Sequence, residues 1–422
     1  MTDLEAAGRA ASVADAPQGV GPLMPGAQRE ARPLRQQILE HVRAQGRAAR
    51  ADISRALGVS AGSVTTLTSE LIGRDLLREV EGGAPGATTR GRPPVALELV
   101  AEGRLVVGIK ISDERNTAVL ADFAGTILAD AARPAPPTRR TLEQTLGEIG
   151  ALIDAVLAQA GRDVSELLAI GVGLSGMVDH ENGRVLWSPH LAGADMPLGE
   201  AATKRFGRPV LIDNDANMLT LAELWFGAGR QRPDFAVVTI EHGVGMGLVI
   251  DNRLYRGTRG MGLELGHTKV HLDGALCRCG KRGCLEAYLA DYALAREAAT
   301  ALGRAPQSPQ LMLDALFAEA KAGNRAARSI FRRAGRYLAL GLSNVVQLFD
   351  PELVILSGER MRYDYLYAEE VLTEMQGLAL VDARRHARVE IHAWGDLVWA
   401  RGASALALAA VTETVLSEAR AA

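Results

Sequence analysis

From Leu105 onward the chain alternates short runs of branched apolar residues with longer segments whose apolar residues recur at helical spacing. LVVGIKI, TAVLAD, LLAIGVG, PVLID, FAVVTI, GLVID and LVILSG read as strands. Segments 141–160, 215–228, 285–298, 323–347 and 396–417 read as helices. Such interleaving predicts an α/β body. At roughly 320 residues it exceeds what one hydrophobic core serves well, so two lobes with a cleft between them are expected.

The first hundred residues follow another pattern. Residues 1–30 are rich in Ala, Gly and Pro without a sustained apolar period, the composition of a flexible tail. From Pro33, PLRQQILEHVRAQG places Leu34, Ile38, Leu39 and Val42 on one helical face, with Gly46 as its stop. RADISRALGVS is a second, short helix that buries Ile53 and Leu57 and ends at Gly58, after which Ser60 can cap a third helix. There Val64, Leu67 and Leu71 fall at i, i+3 and i+7. A Gly/Pro/Thr-rich loop carrying Arg90 and Arg92 follows, and then VALELV, whose alternation sets Val95, Leu97 and Leu99 on one face of a strand. Three helices with a four-residue turn, then a hairpin with a basic loop, predict a winged helix-turn-helix over residues 31–100.

In that fold the third helix reads DNA. Opposite its apolar face stand Gly62, Thr65, Thr66 and Ser69, with Ser63 at the edge, all small enough to enter a major groove. Long basic residues are absent there, so phosphate contacts fall to Arg50, Arg55, Arg90 and Arg92, the last two at a wing tip within reach of a minor groove. Residues 29–98 hold 11 Arg, no Lys and 8 acidic residues, a net +3 in a chain whose total is −3. This is a basic module on an acidic body. One such module binds weakly, so a homo-oligomer on two-fold, double-stranded operator DNA is expected.

The N-terminus, Met1-Thr2-Asp3-Leu4-Glu5, lacks the basic and apolar regions of a secretory signal, and no apolar run approaches the ~20 residues of a membrane span. A cytoplasmic protein without membrane partners is expected. Cysteine usage agrees: Cys277, Cys279 and Cys284, the only three, share the stretch CRCGKRGCLE and make no disulfide framework. Three thiolates on one glycine-containing loop predict a tetrahedral zinc site that lacks one ligand. His267, in GLELGHTKV, and His271 both lie close upstream and are the candidates. Four protein ligands leave no open position, so the Zn2+ would be structural.

GLELGHTKV…CRCGKRGCLE closely resembles the signature of the ROK family (repressors, open reading frames and sugar kinases). With the helix-turn-helix before it, the chain from about residue 34 resembles that family's sugar-responsive transcriptional regulators. The resemblance implies an α/β fold: an N-terminal winged helix-turn-helix and an actin-like, two-lobed, sugar kinase-like body at 101–422. The small lobe would be about 101–215 plus the C-terminal helix, and the large lobe about 216–395. A sugar would lie in the cleft, with zinc, held by His267 and the three cysteines, organising its wall. The resemblance further implies sugar contacts from Asn214 and Asp215 in IDNDANMLTLAE, Glu264 and His267 in the E-x-G-H element, and Glu286 after the last cysteine. Ser175 and Gly176, in GVGLSGMVD, match a turn near the sugar. Carboxylates and amides suit vicinal hydroxyls, each of which donates and accepts. His190, in WSPHL, stands where many relatives have Asn, a change that either alters which sugar substituent is read or is simply tolerated at the surface.

Both phosphate turns depart from the kinases of the family. Where those carry Asp-x-Gly-Gly-Thr, GIKISDERNTAVL has Lys110 for the Asp and Ser112-Asp113 for the glycines. EHGVGMG has His242 where Thr is usual, and its glycines suit a tight hairpin. Asp113 and Glu114 would repel a triphosphate by about 4 kcal/mol per pair of unit charges at ~4 Å. The expectation is a non-catalytic, sugar-responsive repressor with no catalytic residues. The alternatives are a sugar kinase with an added DNA-binding domain and a regulator answering to a protein partner.

Overall fold

The computed structural model describes residues 18–23, 32–81, 95–260, 262–303, 305, 308–358, 361, 369–380 and 387–417. Its N-terminal unit consists of α1 (Leu34–Gln45), β1 (Arg47–Ala49), α2 (Arg50–Leu57), α3 (Ala61–Gly73), β2 (Leu77–Val80) and β3 (Ala96–Leu99). The strands form an antiparallel sheet in the order β1-β3-β2. Local chemistry sets the helix ends. Gly58 closes α2 in the left-handed region at φ 67, and the Ser60 hydroxyl caps α3 by accepting the Ser63 N–H at 3.1 Å. Ile38, Leu39, Val42, Ile53, Val64 and Leu71 form the buried centre. Val95 departs from the expected alternation. It precedes the strand and is exposed, whereas Ala96 and Leu97 are both buried, because β3 is the middle strand and is covered on both faces.

The body opens with β4 (Leu105–Ile111), β5 (Arg115–Asp122), β6 (Ile127–Pro134), α4 (Leu142–Ala160) and β7 (Leu167–Leu174). A small hairpin of β8 (Met177–Asp179) and β9 (Arg184–Trp187) follows, then α5 (Leu198–Phe206), β10 (Val210–Asn214) and α6 (Asp215–Phe226). Next come β11 (Phe235–Ile240), β12 (Val244–Ile250), β13 (Arg253–Tyr255), α7 (Glu286–Leu289), α8 (Asp291–Leu302), α9 (Pro309–Lys321) and α10 (Arg325–Phe349). β14 (Leu353–Ser357), α11 (Glu369–Leu378), β15 (Arg388–His392) and α12 (Val398–Ser417) complete the described elements.

These strands make two five-stranded sheets of one design. In the first, β4, β5 and β6 are an antiparallel meander, and β7 and β10 add in parallel on the other side of β4. In the second, β11, β12 and β13 are the meander, and β14 and β15 add in parallel beside β11. α12 packs on β4 and β7, α6 packs on β12, and the two helices touch each other between the sheets. Glycines permit the approach: a Cβ on Gly108 would lie 2.0 Å from the Ala400 carbonyl oxygen, and one on Gly402 1.7 Å from that of Met218.

Two expectations change. The single helix expected over 285–298 is α7 and α8, separated at Ala290, which is extended at ψ 158. The break carries the buried Asp291 to the β11–β12 turn, where its N–H donates to the Glu241 carbonyl at 3.3 Å. Residues 18–23, assigned by composition to the tail, are docked. Val20 N–H donates to the Arg43 carbonyl (3.1 Å), Gly21 N–H to that of Trp225 (2.8 Å) and Leu23 N–H to that of Arg230 (2.7 Å). Among the described residues no helix is long and apolar enough to cross a membrane.

Candidate ligand cleft and metal centre

The cysteine loop is shaped by its glycines. Gly280 and Gly283 take φ 82 and 72, Gly280 N–H donates to the Cys277 carbonyl (3.0 Å) and Cys277 N–H to that of Lys281 (2.9 Å). This turns three thiols toward His267, which ends the 3-10 turn Leu265–His267. Nδ1 or Nε2 of His267 and the sulfurs of Cys277, Cys279 and Cys284 all lie within 4.8 Å of one another. Cys279 and Cys284 sulfurs are 3.7 Å apart, as are Cys277 Sγ and His267 Nδ1. Thiolates ~2.3 Å from a tetrahedral ion would be separated by about 3.8 Å, so spacing and donor set fit such an ion. His271 is exposed and lies outside the cluster, so His267 is the histidine that the fold brings beside the three sulfurs. Burial pushes the Cys277 thiol up to about 12, a penalty on its thiolate that a cation would offset. The Lys269 ammonium already stands 2.7 Å from Cys284 Sγ.

The cleft shares His267 with this cluster. Its Nδ1 faces Cys277, while Nε2 lies 4.0 Å from Glu264 Oε2. The 44% exposed Glu264 side chain has its pKa raised. Desolvation against the cleft wall is the main cause; His267 opposes it, and the Asp215 and Glu286 charges add to it. Glu286 accepts from Tyr292 Oη at 3.3 Å and faces Cys277 Sγ at 3.4 Å, while its other oxygen lies against Gly243 of the β11–β12 turn. Asp215 opens α6 and accepts from Ser175 Oγ at 2.5 Å. Asn214 caps the same helix, its Oδ1 accepting the Asn217 N–H at 2.8 Å, so that oxygen is committed to structure. Gly176, at φ 129, lies flat on Trp187 and Ser188: a Cβ there would be 2.2 Å from the Trp187 carbonyl oxygen.

One cleft group escaped the list of expected ligand contacts. His190 is buried, and burial lowers its pKa. Asp113 and Asp215 act on it to raise the value, and Arg140 and His242 to lower it. The imidazole is therefore neutral at pH 7, with one donor and one acceptor nitrogen, within electrostatic reach of the cleft carboxylates. Its departure from Asn was the only signal in the sequence.

The β4–β5 and β11–β12 turns, where the departures from the kinase pattern were expected, face each other. Ser112 closes its own turn, Oγ donating to the Arg115 carbonyl (2.7 Å) and N–H to Asn116 Oδ1 (2.9 Å), and the buried Arg140 donates to the Ser112 carbonyl at 2.5 Å. The Lys110 ammonium sits 3.3 Å from the Trp399 ring centroid. Across the cleft, His242 Nε2 lies 3.7 Å from Asp113 and 3.8 Å from Glu114, and Nδ1 4.0 Å from Asp291.

On α3, Gly62, Ser63, Thr65, Thr66 and Ser69 are all exposed, opposite the buried Val64, Thr68 and Leu71. Arg50 is not free for phosphate: it donates to Thr68 Oγ1 (2.9 Å) and pairs with Glu79 (2.8 Å), pinning α2 to α3 and β2. Arg55 is 79% exposed. Arg90 and Arg92 lie outside the described residues.

A profile of the ROK family matches residues 106–410. The chain belongs to the ROK family. This ROK protein is 30% identical over 320 residues to the DNA-binding transcriptional dual regulator NagC of Escherichia coli strain K12, covering 74% of this chain and 77% of NagC. The crystal structure of a ROK family transcriptional regulator, a homologue of the E. coli MLC protein, superposes with a TM-score of 0.75 at 25% identity. That match covers 91% of this chain and 97% of the regulator. A ROK family glucokinase from Streptomyces griseus, in complex with glucose and AMPPNP, gives 0.60 at 30% identity. It is matched over 99% of its length yet covers 72% of this chain. The regulator thus accounts for a share of this chain that the kinase does not.

Proposed function

We propose that this ROK protein is a sugar-responsive transcriptional repressor of carbohydrate uptake or catabolism genes, acting in the cytoplasm as a homo-oligomer on operator DNA. Residues 31–100 serve as a winged helix-turn-helix, and residues 101–422 as an actin-like body that senses a monosaccharide or its derivative between two lobes. The observation that carries this reading is the exposed face of small residues on α3, joined in one chain to a cleft where Asp215, Glu264, His267 and Glu286 converge.

Gly62, Ser63, Thr65, Thr66 and Ser69 would enter the major groove, with Arg90 and Arg92 on the wing beside it. In the cleft, carboxylate oxygens of Asp215, Glu264 and Glu286 accept sugar hydroxyls, and His267 Nε2, Asn214 and the Ser175–Gly176 turn complete the wall. His267, Cys277, Cys279 and Cys284 hold a structural zinc ion, whose bond to Nδ1 would fix the ring that presents Nε2 to the sugar. No residue is assigned to catalysis: Lys110 is engaged with Trp399, and the Ser112 turn is closed on itself.

Titration of a duplex, selected by the protein from randomised DNA, tests the reading directly. One of a panel of monosaccharides and their 6-phosphates is expected to bind calorimetrically and shift duplex affinity. Absence of binding across the panel overturns it. ADP release above ~1 s⁻¹ with ATP and any of these sugars would instead assign a kinase.

A further inference from the structure

α6 joins two places that lie far apart in the chain. Its first residue, Asp215, bonds Ser175 in the cleft. Every residue from Ala216 to Trp225 is buried, so neither end can shift without disturbing what packs on the other. At 1.5 Å per residue the helix spans about 18 Å. At its far end the contacts belong to the N-terminal unit. The Arg43 guanidinium, from the last turn of α1, lies 5.7 Å from the Trp225 ring centroid and 4.7 Å from that of Phe123. Its Nε donates to the Phe123 carbonyl (3.2 Å) and its Nη2 to the Thr412 hydroxyl of α12 (2.9 Å). Just past α6, Arg230 donates to the carbonyls of Gly21 (3.0 Å) and Ala44 (2.8 Å), strapping residues 18–23 over the same joint.

Arg43 is a poor choice for merely filling space. It is 2% exposed, no carboxylate lies within ion-pair distance among the described residues, and Nη1 has no hydrogen-bond partner there. Burial pulls its pKa down to about 10. A methionine would occupy the gap without desolvating a charge. What the guanidinium adds is direction: its donors and flat face tie α1 to α6, α12 and the β5–β6 turn in one arrangement. Its unpaired N–H can exchange partners if α6 moves.

We infer that Arg43 is the coupling residue of this protein, locking the N-terminal unit to the C-terminal end of α6. A ligand-driven shift at Asp215 thereby resets that unit against the body and changes its fit to DNA. The inference rests on the repressor reading above.

Full-length wild type, Arg43→Met and Trp225→Phe are compared. Each is titrated with the wild-type-selected duplex, with and without glucose, N-acetylglucosamine, xylose, fructose and their 6-phosphates, and sugar affinity is measured separately by calorimetry. In wild type the sugar that binds is expected to change duplex affinity about 5–150-fold, the usual span for coupled sites. Arg43→Met is expected to keep both separate affinities within about threefold of wild type while the coupling ratio falls toward unity. Trp225→Phe, with a smaller ring, is expected to lose part of the coupling. Coupling retained in Arg43→Met overturns the inference and leaves the repressor reading standing. Should Arg43→Met fail to fold, full coupling in Trp225→Phe overturns it equally. A wild type that binds none of these sugars removes the repressor reading and this inference together.

Discussion

The clustering of His267 with Cys277, Cys279 and Cys284 was legible in the sequence because a loop of eight residues keeps the three cysteines neighbours in space. Cys279→Ser is expected to abolish metal retention, shown by elemental analysis, and to cost about 3 kcal/mol or more in urea denaturation, as loss of a structural metal does. Arg43 was not legible, and His190 only as a departure from Asn, since what defines them arrives from distant segments: Phe123 and Thr412 for the one, Asp113 and Asp215 for the other. Replacing the neutral His190 by Asn exchanges a rigid ring for a shorter amide, and about tenfold or greater change in preference between sugars is expected by calorimetry. His392 offers a pH test. Burial alone would lower its pKa, but Glu223 at 2.7 Å and Glu390 at 3.1 Å outweigh that and raise it. A raised folded value means stabilisation fully present below the unfolded value of about 6.5 and lost as pH rises through the folded one. The stability difference between wild type and His392→Gln should therefore shrink with rising pH, as urea midpoints across about pH 5.5–9 will show.

Whole elements were legible where a continuous apolar run or a single apolar face ends in turn chemistry. β11 matches FAVVTI residue for residue, and Ser60 caps α3 where the sequence placed it. β6 and β15 escaped notice because both are edge strands with mostly exposed or half-exposed residues, so no alternation marks them. The meeting of α6 and α12 was equally invisible: a glycine in an Ala-rich helix looks like a weak point until the opposing backbone is seen. Gly402→Ala would press a methyl on the Met218 carbonyl and is expected to destabilise the protein by about 1–3 kcal/mol in urea denaturation.

At the scale of the molecule, the repeated sheet order could not be read from sequence, because the connection from meander to first parallel strand runs from Pro134 to Leu167 in one sheet and from Tyr255 to Leu353 in the other. Its consequence is functional. The two meanders bring the β4–β5 and β11–β12 turns to face one another. Here they carry Asp113 and Glu114 on one side and His242 on the other. These side chains are 41–68% exposed, so each pair is worth only about 0–1 kcal/mol and fades with salt. Such contacts do not hold the lobes shut. On the repressor reading proposed above, these carboxylates would repel a triphosphate, and the flanking turn is already closed by Ser112, Asn116 and Arg140. Removing the charges with His242→Thr, Asp113→Gly and Glu114→Gly together is therefore not expected to create a kinase, because Lys110, held on the Trp399 ring, would remain where the family resemblance implies the acid that assists Mg²⁺. Calorimetry should detect no ATP binding to wild type. The triple variant should release no ADP above the sugar-free background, while its sugar affinity stays within about threefold of wild type because Asp215, Glu264 and Glu286 are untouched.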